Sequence, residues 1–368
     1  MSAMKEILAE AQRCIIICNA CRYCEGFCAV FPAMELRRVF TDPELKYFAN
    51  LCHNCRGCYY ACQYAPPHEF DLNFPEVMCQ LRTETYKEFA WPGCLAKFFN
   101  SNGLSVFVAA LVGVLLFVFG GIWANGVDAF FKPITGDGSF YKVVPYGFMF
   151  VVFTLTFLFG IFALVKGVLN MWKITESPAG GLRNPLDVFQ ALKDVFTMRY
   201  LDGNGDGCNY PNDEFSFIRR KYHHFTFYGF LACLVATGIA FVADDFLGIH
   251  APYGFFSLPV LFGFFGGLSL CYGTAGLTYL KVVMDRRPYD EASVGMDMSF
   301  TMLLFLISLS GLLLFLFRST SMMGLLLCVH LGLVFGLFIT LPAGKFVHVA
   351  YRYTALVRNA REQREANK

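Results

Sequence analysis

Cys18-Asn-Ala-Cys21-Arg-Tyr-Cys24-Glu-Gly-Phe-Cys28 returns further along the chain as Cys52-His-Asn-Cys55-Arg-Gly-Cys58-Tyr-Tyr-Ala-Cys62. Both stretches read C-x2-C-x2-C-x3-C, the ligand spacing of [4Fe–4S] clusters. Three thiolates on one tight loop can cap three irons of a cubane, and the fourth ligand must arrive from elsewhere. Where two such runs occur together, the last cysteine of each run serves the other cluster. This assigns one cluster to Cys18, Cys21, Cys24 and Cys62, and a second to Cys52, Cys55, Cys58 and Cys28. A pair of four-cysteine zinc sites is the competing reading, but those usually join two C-x2-4-C knuckles rather than a triple run.

The runs follow the bacterial ferredoxin pattern with one departure. Proline usually stands directly after the last cysteine; here Pro32 and Pro66 come four residues after Cys28 and Cys62. Cys14, Cys79 and Cys94 lie outside the runs and are read as packing residues. His53, beside Cys52, is read as a supporting or surface residue rather than a ligand.

Outward from the runs the composition changes. Of 368 residues, 56% are hydrophobic and 16% charged, against about 45–50% and about 25% in soluble domains. That excludes a disordered chain, a coiled coil and an ordinary soluble enzyme. The net charge of +2 gives no basis for nucleic-acid binding. Ten of the 15 cysteines fall between Cys14 and Cys79, so a cysteine-rich head precedes an apolar body. No apolar signal segment precedes Cys14, so the head is expected to stay in a reducing cytoplasm, where clustered cysteines bind metal rather than pair.

Six uncharged runs follow: Leu104 to Ala124, the stretch between Lys142 and Lys166, Phe225 to Ala243, the stretch between His250 and Lys281, Met298 to Phe317, and Ser319 to Gly344. Each is near or above the roughly 18–20 residues that cross a bilayer. Six spans put both termini on one side. Outside the head, that side carries 17 Lys and Arg, whereas the opposite loops carry only Lys132, Lys142 and Arg318. The positive-inside rule then makes the head and both termini cytoplasmic. The expected fold is mostly α: a two-cluster ferredoxin-like [4Fe–4S] head over residues 1–97, a six-helix transmembrane bundle over 98–350 with a loop at 166–222, and a basic tail over 351–368. Glycines such as Gly229, Gly266, Gly273 and Gly276 suit close helix approach.

Ligating residues inside membrane spans are costly and point to function. His223 and His224 open the third span, and His348 ends the sixth on the same side. These can clamp one b-type haem near the head. His223 shares a more polar stripe with Thr226, Cys233 and Thr237, which turns it inward in preference to His224. His330 lies 18 residues before His348, about 27 Å along a straight helix, as a second haem would need, although Pro342 between them can kink that helix. His250, with Asp244 and Asp245, is the candidate set for a quinone at the far face. Asp202-Gly-Asn204-Gly-Asp206-Gly207 has the opening of a calcium loop, but its twelfth position is Asp213 rather than glutamate, and a glycine-rich turn is preferred.

The whole chain, through LDGNGDGCNYPNDE, RRKYHHFTFYGF, APYGFFSLPVL and LPAGKFVH, resembles the tricarballylate-utilisation or citrate-utilisation protein B family. The resemblance implies a membrane electron-transfer subunit without substrate chemistry of its own. It would reoxidise the FAD of a partner tricarballylate dehydrogenase and feed the quinone pool of the bacterial inner membrane. It carries the cluster ligands onto the eight cysteines named above and the haem ligands onto His223, His224, His330 and His348. A related fused protein of cobalamin synthesis shows that the flavoprotein partner can differ. A tricarboxylate transporter is the alternative, but spans 1–3 and 4–6 show no convincing repeat. The soluble parts show no dinucleotide-binding motif and no nucleophile–base set, so flavin chemistry belongs on another chain.

Overall fold

The computed structural model describes residues 3–101, 103–175 and 184–367, apart from the side chain of Asn204. Arg183 and Lys368, both in the charge balance above, lie outside the described residues. The helices in order are α1 (Ala3–Cys21), α2 (Val30–Glu35), α3 (Asp42–Leu51), α4 (Gly57–Tyr60), α5 (Phe74–Phe89), α6 (Leu104–Asn125), α7 (Asp128–Phe131), α8 (Tyr146–Thr175), α9 (Pro185–Thr197), α10 (Ile218–Leu247), α11 (Leu258–Val283), α12 (Glu291–Phe317), α13 (Met323–Thr340) and α14 (Val347–Ala366). Strands β1 (Cys208–Asn209) and β2 (Phe215–Ser216) form a short antiparallel ribbon.

Helices α6, α8, α10, α11, α12 and α13, the last with the turn Leu341–Ala343, are long and apolar enough to cross a membrane. The expected mostly α architecture of a cysteine-rich head on six membrane helices is what the chain adopts. At 30 residues each, α8 and α10 run about 45 Å. That exceeds a hydrocarbon core of about 30 Å, so both reach beyond it. Small residues let the helices touch backbone to backbone. A Cβ on Gly113 of α6 would meet the carbonyl oxygen of Gly332 in α13 at 2.3 Å. One on Gly229 of α10 would meet the amide of Leu270 in α11 at 2.6 Å.

The sixth span does not continue into the C-terminus. It tightens at Leu341–Ala343, turns through extended Gly344, and restarts as α14. Pro342 has no N–H for the ladder and stops the helix. His330 and His348 therefore sit on different helices, and the straight-helix relation expected between them does not hold.

Residues 351–366, within the stretch expected as a basic tail, form the body of α14. Tyr351, Ala355, Leu356 and Val357 are buried in the same core as Ile15, Phe31, Tyr47, Phe48, Met78 and Phe89 of the head. Each such large apolar side chain contributes about 1.5–3 kcal/mol on full burial. The head and α14 thus share one hydrophobic core. Local signals start the helices around it. Thr41 and Glu44 close a capping box on α3, Asn184 caps α9 ahead of Pro185, and Asp290 caps α12.

Helix α9 buries Asp187, Ala191 and Asp194 and leaves Leu186, Phe189, Leu192 and Phe196 exposed. Arg364 of α14 holds Asp187 with a two-pronged bond at 2.7 and 2.8 Å. Polar contacts seat the head on the span ends. Asn170 donates to the Phe89 carbonyl (3.1 Å), Arg56 to the Asp285 carbonyl (3.0 Å), and Tyr60 to the Asp285 carboxylate (2.9 Å).

Candidate redox site at the head–membrane junction

The last turns of α1 present Cys18 and Cys21, and the turn after it presents Cys24. Cys62, just past α4, comes back to the same place. These four thiols and Cys58 line one cavity of about 330 Å³, together with Ile17, Phe31 and other apolar side chains. Burial pushes the Cys18 thiol far up and the Cys24 thiol up to about 12. Alone they would stay protonated; bound iron supplies the charge that removes those protons.

Cys28 has left its own run. It lies within electrostatic reach of Cys52 and Cys55, and Cys58 in turn is near Cys55, Cys28 and Cys52. Cys62 of the second run thus joins Cys18, Cys21 and Cys24, and Cys28 of the first run lies toward Cys52 and Cys55, while Cys58 borders both groups. Among the described residues, no three His, Cys, Asp or Glu side chains converge on a point fit for a single metal ion. A zinc ion would need thiolates about 2.3 Å from one centre. Soft thiol donors drawn from two triple-cysteine runs are the donor set a multi-iron cubane takes, and by that chemistry the residues fit.

The backbone of the second run is held by arginines. Arg82 of α5 and Arg352 of α14 both donate to the Cys52 carbonyl, each at 2.9 Å. Arg219 of α10 donates to the carbonyls of Asn54 (2.6 Å) and His53 (3.1 Å). Arg56 is wholly buried, its guanidinium 4.2 Å from the centre of the Tyr210 ring. The loop between α9 and α10 also reaches the run. The Asn209 amide donates to the Cys55 carbonyl (3.1 Å), and the Cys208 thiol lies within hydrogen-bonding reach of Cys55. His53 is buried, its Nδ1 donating to the Leu51 carbonyl at 2.8 Å. Of the cysteines outside the runs, Cys14 and Cys79 are buried and Cys94 is exposed.

The membrane histidines separate into distinct places. His223 and His348 lie close enough to sense each other's charge. His348 Nδ1 donates to the Lys345 carbonyl at 2.6 Å. A carbonyl only accepts, so the proton is on Nδ1 and Nε2 keeps a free lone pair, as an axial ligand requires. Burial, with Arg352 and Lys345 beside it, pushes His348 well below the usual histidine range and keeps the ring neutral. His223 Nδ1 is enclosed with no hydrogen-bond partner among the described residues. An orphaned nitrogen beside a second available imidazole fits a bis-histidine haem. His224 turns away and stacks on Tyr228 at 5.9 Å. His330 donates from Nδ1 to the Ile307 carbonyl and is near Ser310 Oγ, both at 3.1 Å, and its ring lies against Gly311. Among the described residues no second histidine reaches its depth; His250 sits at the far end, paired to Asp244.

That far end gathers the candidate quinone residues. Tyr141 donates to Asp244 at 2.7 Å, Tyr146 bonds Asp245, and His250 bonds Asp244. At the head side, Asp297 takes Lys345 on one oxygen (2.6 Å) and Lys281 (3.2 Å) with the Tyr289 hydroxyl on the other. Two ammoniums share one carboxylate there. The calcium-like loop is a turn. The Asp202 carbonyl accepts from the amides of Gly205 (2.9 Å) and Gly207 (2.7 Å), and its carboxylate is taken by Arg220.

The runs alone pointed to the cysteines; the arginines and Cys208 escaped that reading. A signal was present in the four-residue spacing of Arg219 to His223 and of His348 to Arg352, which places each pair on one helix face.

Six apolar helices under a ferredoxin-like cysteine head define a multi-pass membrane protein of iron–sulfur electron transfer. Residues 99–368 match the family model described as Citrate utilization protein B, and residues 11–88 match its Fer4-like domain. The Citrate utilization protein B of Escherichia coli is 43% identical over 357 residues, covering 97% of this chain and 93% of its own length. No solved structure matches. The chain belongs to the citrate utilization protein B family.

Proposed function

We propose that this chain takes electrons from a separate FAD-dependent dehydrogenase, tricarballylate dehydrogenase first among them, and delivers them to membrane quinone. Its carriers in this reading are two [4Fe–4S] clusters and one b haem. It sits in the bacterial inner membrane with the head in the cytoplasm, as the Lys and Arg balance argues. The reading is supported by Cys62 lining one cavity with Cys18, Cys21 and Cys24, by Cys28 lying near Cys52 and Cys55, and by the Cys52–Asn54 backbone resting on arginines at the head-side ends of α10 and α14.

When bound, the clusters and haem supply one-electron chemistry. The chain's own residues do the rest. Cys18, Cys21, Cys24 and Cys62 hold the first cluster at a cavity beside Tyr23, which is 70% exposed, so a soluble partner can approach. Cys52, Cys55, Cys58 and Cys28 hold the second, deeper one. His223 and His348 offer imidazole nitrogens beneath it.

The test is a dithionite-reduced minus air-oxidised absorption spectrum of the purified chain, with iron and acid-labile sulfide counts. About eight sulfides, the content of two cubanes, and a sharp b-type α band are expected. Zinc in place of sulfide would overturn the cluster reading. Sulfide without the band would remove the haem. Anaerobic mixing with an excess of the reduced flavoprotein should oxidise FAD beyond the few electrons this chain itself can hold only when this chain and a quinone are both present.

A further inference from the structure

We propose that Arg219 and Arg352 are positioning residues that tie the second thiol set to the membrane histidines. Their charge sets any cluster held there at a higher reduction potential than one held by the first set. The inference rests on the two-cluster reading above.

Arg219 stands four residues before His223 on α10, and Arg352 four residues after His348 on α14. Four residues is close to one helical turn, so each arginine shares a face with its histidine. Helix α10 is the third of the six spans and α14 follows the last, yet their guanidiniums meet the same strip of head backbone. The carbonyls of Cys52, His53 and Asn54 are three in a row, and each accepts from Arg219 or Arg352. The histidines on those two helices are themselves neighbours. Each arginine thus touches the Cys52–Cys55 loop one helical turn from its histidine, so the loop and the two histidines are tied to the same two helices.

The first run is held differently. Among the described residues, the arginine bond to its backbone comes from Arg22 within the run, exposed, donating to the Asn19 carbonyl at 3.1 Å. Glu10, 3.4 Å from Cys14 Sγ, is itself paired to Arg13 at 2.6 Å, so that pair brings no net charge to the first set. Adding an electron to a cluster adds negative charge, which a neighbouring cation stabilises and a carboxylate opposes. Burial disfavours the added charge at the deeper second set. Arg219, Arg352 and Arg82 oppose that penalty from three elements at hydrogen-bonding distance. The resulting slope in potential runs from the exposed set toward the membrane.

The experiment is an EPR-monitored redox titration of the full-length chain in detergent, comparing wild type with Arg352→Gln, Arg219→Gln and Arg352→Lys. Cys24→Ser and Cys58→Ser assign the two signals to the first and second sets. Each Gln variant should lower the reduction equilibrium of the second-set signal at least tenfold, about 59 mV for one electron, and leave the first-set signal in place. Arg352→Lys, which keeps the charge, should shift less. Selective loss of the second-set signal in a Gln variant supports the tie, and the Lys variant then reports the potential. An equal shift of both signals, a shift confined to the first set, no shift, or loss of both overturns the inference. Sulfide counts on the wild type address the two-cluster reading separately; a wild type with one cluster would take this inference down with it.

Discussion

Glu362 joins three parts of the molecule, and replacing it with Gln isolates what the shared core is worth. One oxygen of Glu362 accepts from Arg37 after α2 (2.6 Å) and from Arg358 on α14 (2.7 Å). The three side chains are only 15%, 8% and 6% exposed. Arg358 also lies over the Tyr47 ring at 4.0 Å and donates to the Thr175 carbonyl at the end of α8. Two unit charges about 4 Å apart interact by about 4 kcal/mol at an effective dielectric of about 20. Removing one partner of a buried pair costs about 3–5 kcal/mol, because the other charge is left unpaired. Arg37 keeps Glu44 at 2.9 Å and Arg358 keeps the Thr175 carbonyl, which favours the lower end, about 3 kcal/mol.

At about 1.4 kcal/mol per tenfold, α14 should open about a hundredfold more often in Glu362→Gln. Hydrogen exchange of the peptide covering residues 347–366 reads this directly. The pH dependence follows from the same contacts. Burial works to raise the Glu362 carboxyl, but Arg358 and Arg37 outweigh it and the net shift is downward. A depressed folded pKa stabilises above the unfolded value and loses that stabilisation as pH falls through the folded value. Wild type and variant should therefore differ fully at neutral pH and converge as pH falls below the ordinary glutamate value of about 4.3. Exchange unchanged at neutral pH, or a gap that persists in acid, would refute the reasoning.

Cys24→Ser should remove one of two cubanes, seen as about half the acid-labile sulfide. Cys14→Ala should keep both, because Cys14 is buried against Glu10 outside the thiol cavity. His223→Ala and His348→Ala should each abolish the b-type α band in the reduced spectrum. His224→Ala should retain it, since that ring stacks on Tyr228 instead. Gly332→Ala puts a Cβ 2.3 Å from the Val114 amide and forces α6 from α13. It should cost about 1–3 kcal/mol as overpacking, read as earlier heat aggregation in detergent.

Much of this protein was legible in one dimension. Cysteine spacing is local chemistry, because a cubane constrains ligands a few residues apart, so both runs announce themselves. Span count is also local, because a bilayer demands about 20 apolar residues in a row whatever surrounds them. A helical stripe set His223 apart from His224 in the sequence; in the structure both rings are half-buried, His223 Nδ1 enclosed and His224 stacked on Tyr228.

What tertiary structure alone decided are contacts between residues far apart in the chain. Charge-rich VHVAYRYTALVRNAREQREA reads as a solvated tail, yet α14 buries Tyr351, Leu356 and Arg358 in the head. Its apolar positions are too few to show a strong stripe, and Arg358 is buried and Arg352 half-buried because Glu362, Thr175 and Cys52 receive them. Likewise Arg219 reads as an interfacial anchor until Asn54, 165 residues away, is brought beside it. Spacing rules report what neighbours along the chain can do together. A buried charge is stable only with its partner, and here the partner is known only once the chain has folded.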